Sequence, residues 1–171
     1  ERLGAIARQH PFQIVLAGKA HPRDEEGKRL IAELHEHAGA LVDAVPVVYL
    51  PDYDLALAQL LVSGCDLWVN TPLPPLEASG SSGMKAACNG VPSLSVSDGW
   101  WVEGCVEGVT GWSIEDAASL YEKLAHTVLP LFYAVPGGAW AQLMSSTITR
   151  NAAYFNSHRM MRRYATEAWL R

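Results

Sequence analysis

The stretch Asp66-Leu-Trp-Val-Asn70-Thr-Pro-Leu-Pro-Pro-Leu-Glu77-Ala-Ser79-Gly80-Ser81-Ser82-Gly83-Met-Lys85-Ala-Ala-Cys-Asn89-Gly90 decides the fold class and carries most of the candidate chemistry. Residues 66–70 are a short apolar run suited to a buried strand, and 84–89 read as the body of a helix closed by Gly90. The loop between them is built of small residues, so several N–H groups stay free in front of the positive end of a helix dipole. Such a loop suits an anion, above all a phosphate. A lysine in the first turns of that helix, if deprotonated in a dry pocket, can condense with an aldehyde cofactor. On spacing alone, a Gly/Ser strand–helix turn that binds nothing fits equally well. Neither Gly-x-x-x-x-Gly-Lys-Ser/Thr nor a Gly-x-Gly-x-x-Gly after a strand is present, which argues against a P-loop ATPase.

Outward from this stretch the chain alternates. Residues 12–17 form an apolar run ending at Gly18, and 23–37 carry Leu30, Ile31 and Leu34 on one face with acids opposite. Val47–Leu50 reads as a second strand halted by Pro51, 55–62 as a short helix, and 91–96 as a further strand with Pro92 at its start. Alternation of this kind predicts an α/β fold, a Rossmann-like parallel sheet with helices on both faces. Ligands in such sheets gather outside the carboxyl ends of the strands. Gly18-Lys19, Asp52-Tyr53 and residues 77–83 are therefore expected on one edge. The last third reads as helices over 116–129, 140–154 and 158–170, with a turn at Pro136-Gly-Gly138.

Composition narrows the function classes. The length of 171 residues suits one domain with a sizeable core. Thirteen basic against eighteen acidic side chains leave a net charge of −5, which disfavours a non-specific nucleic-acid binder. No apolar run approaches the roughly 20 residues that cross a bilayer, and the first residues have no secretory pattern. Three cysteines without a Cys-x-x-Cys pair read as reduced thiols of a cytoplasmic protein, with Cys65 and Cys88 as small core residues. His35 and His37 stand two apart and cannot share a metal from one helix face, so no metal is expected. Trp100 and Trp101 suit either sugar stacking or packing at a domain edge. Glu103 and Glu107 read as surface acids rather than a glycosidase pair. Arg159, Arg162 and Arg163 read as a solvated face or a domain contact. The serines lack a Gly-x-Ser-x-Gly elbow, which argues against a hydrolase nucleophile.

Glu77-Ala-Ser-Gly-Ser-Ser-Gly-Met-Lys85-Ala-Ala-Cys-Asn-Gly90, followed by Leu94-Ser-Val-Ser-Asp98-Gly99, closely resembles the signature of the α-glucan (glycogen, starch and maltodextrin) phosphorylases. Val15-Leu-Ala-Gly-Lys19-Ala-His-Pro22, Val48-Tyr-Leu-Pro-Asp-Tyr53-Asp54, residues 119–133 and the His158-Arg-Met-Met segment extend the likeness over nearly the whole chain. Asp98-Gly-Trp-Trp101 resembles the short, unregulated bacterial and archaeal branch. The chain departs from the large enzymes at Ser82 and Gly83, where they carry Gly-Asn, and at Asp54, where they carry Arg.

The resemblance implies a role for each matching position. Lys85 falls on the lysine that carries pyridoxal 5′-phosphate as a Schiff base. Ser81 and Ser82 fall where the cofactor's phosphate is held, and Tyr53 on a tyrosine of the same pocket. Glu77 matches the carboxylate that binds a glucosyl hydroxyl, and the amides of Ser79 and Gly80 match donors to that sugar's far edge. The implied reaction converts α-1,4-glucan and inorganic phosphate to glucose 1-phosphate with retention, and the cofactor's phosphate is the working group. Residues 1–171 would form the C-terminal domain of a two-domain glycosyltransferase-type architecture. The N-terminal domain and the first strands would lie outside this sequence, leaving the isolated fragment nearly inactive. Homo-oligomerisation stays open. The rival enzymatic reading is a sugar-nucleotide-dependent retaining glycosyltransferase. Such enzymes carry a second glutamate near position 85 for the donor ribose, and Lys85 argues against it. A non-catalytic carbohydrate-binding domain is the rival from another class.

Overall fold

The computed structural model describes residues 1–134 and 138–170. Its elements are α1 (Arg2–Gln9), β1 (Ile14–Ala17), α2 (Glu25–Leu41), β2 (Val47–Leu50), α3 (Leu55–Gly64), β3 (Trp68–Asn70), α4 (Ser81–Cys88), β4 (Ser93–Val96), α5 (Trp101–Gly104), β5 (Gly111–Ile114), α6 (Ala117–Lys123), α7 (Leu129–Tyr133), α8 (Ala139–Thr147) and α9 (Ser157–Arg163). Every strand pairing is parallel, as the strand–helix alternation predicts. The strands fall into two ladders, β1–β2 and β3–β4–β5, rather than the single sheet expected. Among the described residues β1 bonds only to β2 and β3 only to β4, so each keeps one edge outside the ladder. β5, α1 and α5 are elements that the sequence reading leaves out.

The core is centred on β4 and β5. Leu94, Trp112 and Ile114 pack with Ile6 of α1 and with Leu124, Val128, Leu129 and Leu143 from the C-terminal helices. β4 is buried on both faces except at Val96, the expected state of a central parallel strand. Gly111 opens β5 at φ 146°, a conformation that side chains avoid, and a Cβ there would overlap the Ser93 carbonyl of β4. α2 starts where Asp24 accepts the Gly27 N–H at 2.8 Å, with Glu25 and Glu26 complementing the dipole of its first turn. Its apolar stripe stays partly open: Leu30 is 48% and Leu34 40% exposed. An amphipathic pattern reports a face that can be buried, and here α2 leans chiefly on β2 alone.

The expected helix over 116–129 begins as α6 behind an Asp116–Ser119 capping box. It then widens into a π turn over Leu124–Val128, where the Leu129 N–H reaches the Leu124 carbonyl, before α7. Pro130, with no N–H to donate, follows directly on this π turn, at the irregularity in the helical run. α8 runs on through a second π turn, Ile148–Ala152, to Tyr154, matching the expected extent. The final helix divides likewise into α9 and a π turn over Tyr164–Trp169. Residues 135–137 lie outside the described residues, and with them most of the expected turn at 136–138. No helix among the described residues is long and apolar enough to cross a membrane.

One surface expectation changes, and one gains a role. Cys88 is exposed on α4, not a core residue, whereas Cys65 packs beside Val62, Ala86 and Val91. Glu107 pairs with Lys123 and accepts the Ser113 N–H at 3.0 Å, so it holds β5 in place. Burial pushes the thiols of Cys65 and Cys105 above the usual cysteine range. Alkylation with iodoacetamide at pH 8, followed by peptide mapping, is therefore expected to label Cys88 well before the other two. Gly111→Ala is expected to cost about 3 kcal/mol or more through the clash with β4, read as a lowered urea midpoint.

Candidate functional site

β3 and β4 pair with Asn70 opposite Ser95, so their carboxyl ends deliver two loops to the same edge. The first loop descends from Asn70 to Gly80 and enters α4; the second is the turn from Ser97 to Trp100. Two contacts join the loops and two brace them internally around Glu77, which is half-buried. Asn70 Nδ2 donates to Glu77 Oε2 at 3.4 Å. The Glu77 N–H donates to Asp98 Oδ2 at 3.0 Å, and the Gly99 N–H donates to Asp98 Oδ1 at 2.9 Å. The Trp100 N–H donates to the Ser79 carbonyl at 2.8 Å.

Gly80 is left-handed, at φ 79° and ψ 40°, and serves as the N-cap of α4. A glycine brings no side-chain acceptor, so α4 starts without a side-chain cap bond, and the Gly83 N–H turns back to the Gly80 carbonyl at 3.1 Å. A Cβ at Gly83 would lie 2.8 Å from Trp100 Nε1 and 3.1 Å from Cζ2. At Gly80 it would come within 3.0 Å of Trp100 Cδ1. The indole thus closes directly over the first turn of α4. This settles the two tryptophans: Trp100 is 6% and Trp101 1% exposed, so both are packing residues with no face free for a sugar.

Ser81 and Lys85 stand four apart on α4, on the same helical face, and both are exposed. Uncapped amides, two serine hydroxyls and a lysine on one helix end form a donor set that fits a phosphorylated aldehyde. Lys85 is not in a dry pocket in this chain. Its desolvation would have to come with whatever covers that face of α4.

Tyr53 follows β2, at the end of the other ladder, just after Asp52 at φ 56°. Asp54 beside it is engaged: it caps α3 by accepting the Leu57 N–H at 2.8 Å. A charge that looks unfavourable next to an anion site is used locally as a helix cap. A cavity of about 290 Å³ at the end of β1 is lined by Gly18, Lys19 and Tyr49, but not by Tyr53. A larger one of about 710 Å³ runs from Ser79 and Trp100 to Tyr154, Arg159 and Arg163. There Arg159 stacks 3.5 Å above the Tyr154 ring, and Arg163 grips Glu167 through two bonds of 3.0 Å. Residues 77–85 thus form one continuous loop and helix start at the ends of β3 and β4, and Tyr53 lies at the end of β2.

Asn70, Asp98 and Trp100 are site residues that sequence reasoning did not assign. The available signal was Asp98-Gly99, a turn dipeptide directly after a strand. Among the described residues no three metal-ligating side chains come together.

The profile of the carbohydrate phosphorylases matches residues 4–110. The chain is 40% identical to a maltodextrin phosphorylase of Thermococcus litoralis over 96% of its own length and 21% of that protein. It is 41% identical to a glycogen phosphorylase of Aquifex aeolicus, over 96% of this chain and 26% of the relative. It thus spans about a fifth to a quarter of the curated relatives it matches. Among solved structures, Anabaena Alr3699/HepE in complex with UDP and glucose superposes with a TM-score of 0.73 at 20% identity, covering 96% of this chain and 42% of that one. That likeness establishes the fold, a Rossmann-like half of a two-domain glycosyltransferase-type architecture. With the profile covering most of the chain and two relatives at about 40% identity, this polypeptide belongs to the carbohydrate phosphorylase family.

Proposed function

We propose that the chain is the cofactor-bearing C-terminal part of an α-glucan phosphorylase. The intact enzyme would cleave an α-1,4-glucan with inorganic phosphate to release glucose 1-phosphate with retained configuration. One observation carries this reading. A braced carboxylate, Glu77, leads within eight residues into an uncapped helix end bearing Ser81, Ser82 and Lys85.

Each residue does a task that its geometry suits. The Glu77 carboxylate accepts a hydrogen bond from a glucosyl hydroxyl, and the N–H groups of Ser79 and Gly80 donate to the far edge of the same sugar. The amides and hydroxyls of Ser81 and Ser82 hold a phosphate against the positive end of α4. Lys85 is the covalent anchor of pyridoxal 5′-phosphate. When bound, that cofactor supplies a phosphate with a second pKa of about 6, able to give and take a proton near neutrality. The glycosidic bond breaks as its oxygen gains a proton, and the oxygen of inorganic phosphate forms the new bond to the sugar carbon. An oxocarbenium-like transition state gains from negative charge held close to it.

Incubation with pyridoxal 5′-phosphate, borohydride reduction and peptide mass mapping test the reading. A single adduct on Lys85, absent from Lys85→Ala, is the expected result. Labelling spread over surface lysines of the polypeptide at its full natural length, or none there, would sink it. Glu77→Gln should lower kcat/KM by about 10- to 100-fold, the scale of one lost charge-assisted hydrogen bond, while leaving the Lys85 adduct intact.

A further inference from the structure

We propose that Asp98 is a positioning residue that sets the place of the Glu77 carboxylate in the sugar site, an inference that rests on the reading of Glu77 above. Both oxygens of Asp98 are occupied by backbone amides, Oδ2 by Glu77 at 3.0 Å and Oδ1 by Gly99 at 2.9 Å. Asp98 therefore holds the backbone of both loops, its own and that of Glu77.

The brace reaches Glu77 at three points. Its N–H is held by Asp98, from the end of β4. Its carboxylate is met by Asn70 Nδ2 at 3.4 Å, from the end of β3. Its stem lies against Gly99, where a Cβ would come within 2.8 Å of both Glu77 Cγ and the Ser79 carbonyl oxygen. Gly99 takes φ 55°, so a side chain there would be strained as well as crowded. Two residues on, the bond from Trp100 N–H to the Ser79 carbonyl ties the loop to the same turn. A carboxylate at 98 is the group that suits two converging N–H donors. An amide offers one acceptor and turns a donor toward the other N–H, so the half-buried Glu77 amide loses its partner or Gly99 does. Glu77 then keeps its chemistry and loses its address. A carboxylate misplaced by about 1 Å forfeits much of its value to a bound sugar.

The test is a double-mutant cycle on Asp98→Asn and Glu77→Gln in the polypeptide at its full natural length. It is read as kcat/KM with glucose 1-phosphate, with hydrogen exchange across residues 73–80 as a second readout. Asp98→Asn is expected to lower kcat/KM about tenfold, to speed exchange at the Glu77 amide, and to leave the Lys85 cofactor adduct unchanged. Added to Glu77→Gln, it should cost nothing further, because both act on one group. A loss that multiplies with that of Glu77→Gln, or an unaltered kcat/KM, would overturn the positioning role. An unaltered kcat/KM in Glu77→Gln alone would instead overturn the sugar-acceptor reading, so the two failures are told apart. If Asp98→Asn fails to fold, Asp98→Ser, which keeps an acceptor for one amide, completes the same cycle.

Discussion

The parallel register of β3 and β4 is the constraint on which the rest of the site depends. With Asn70 opposite Ser95, the two strands end level, and the loops that follow them must share one edge. Side chains and amides from the two loops then meet without reaching: Asn70 and Asp98 arrive from adjacent strands at opposite ends of Glu77. β4 can hold this register because slipping by one residue would turn Leu94, which is fully buried, out of its apolar cluster and put a neighbouring serine in its place. Rigid strands fix a loop more tightly than the loop can fix itself, which is the arrangement a polar site requires.

The first turn of α4 pays for this with unsatisfied backbone. Four helices of the chain start on a side-chain acceptor, α2 on Asp24, α3 on Asp54, α6 on Asp116 and α9 on Asn156. α4 starts on Gly80 and has none. Its stability comes instead from Gly83, Ala86 and Ala87, all buried, where small side chains let the helix press close against its neighbours. α1, α5, α7 and α8 also start without a side-chain cap, so what sets the α4 end apart is the braced Glu77 loop that leads into it.

Much of this was legible in the sequence, for reasons that differ by element. β1 to β4 are apolar runs cut off by Gly, Pro or Asn, and α4 sits between punctuating glycines, so local signals suffice. β5 was missed because Gly-Trp-Ser-Ile carries no pattern of its own; its place is set by β4. α1 is eight residues long with three polar side chains among them, too short for its apolar face to stand out. The division into two ladders depends on which edges meet, a non-local fact that no spacing records. At the site, residues 77–85 were read because they are contiguous, and the brace was not, because Asp98 and Trp100 act from another loop. Trp100 illustrates the limit: an indole next to a sugar motif reads equally as platform or packing until its burial is known.

Gly83 and Trp100 form a lock. The indole edge occupies the volume that any side chain at 83 would need. Gly83 and Trp100 therefore behave as one unit: room for a side chain at 83 opens only when the indole at 100 shrinks or moves, and the shape of this helix end is held jointly by a residue with no side chain and one with the largest.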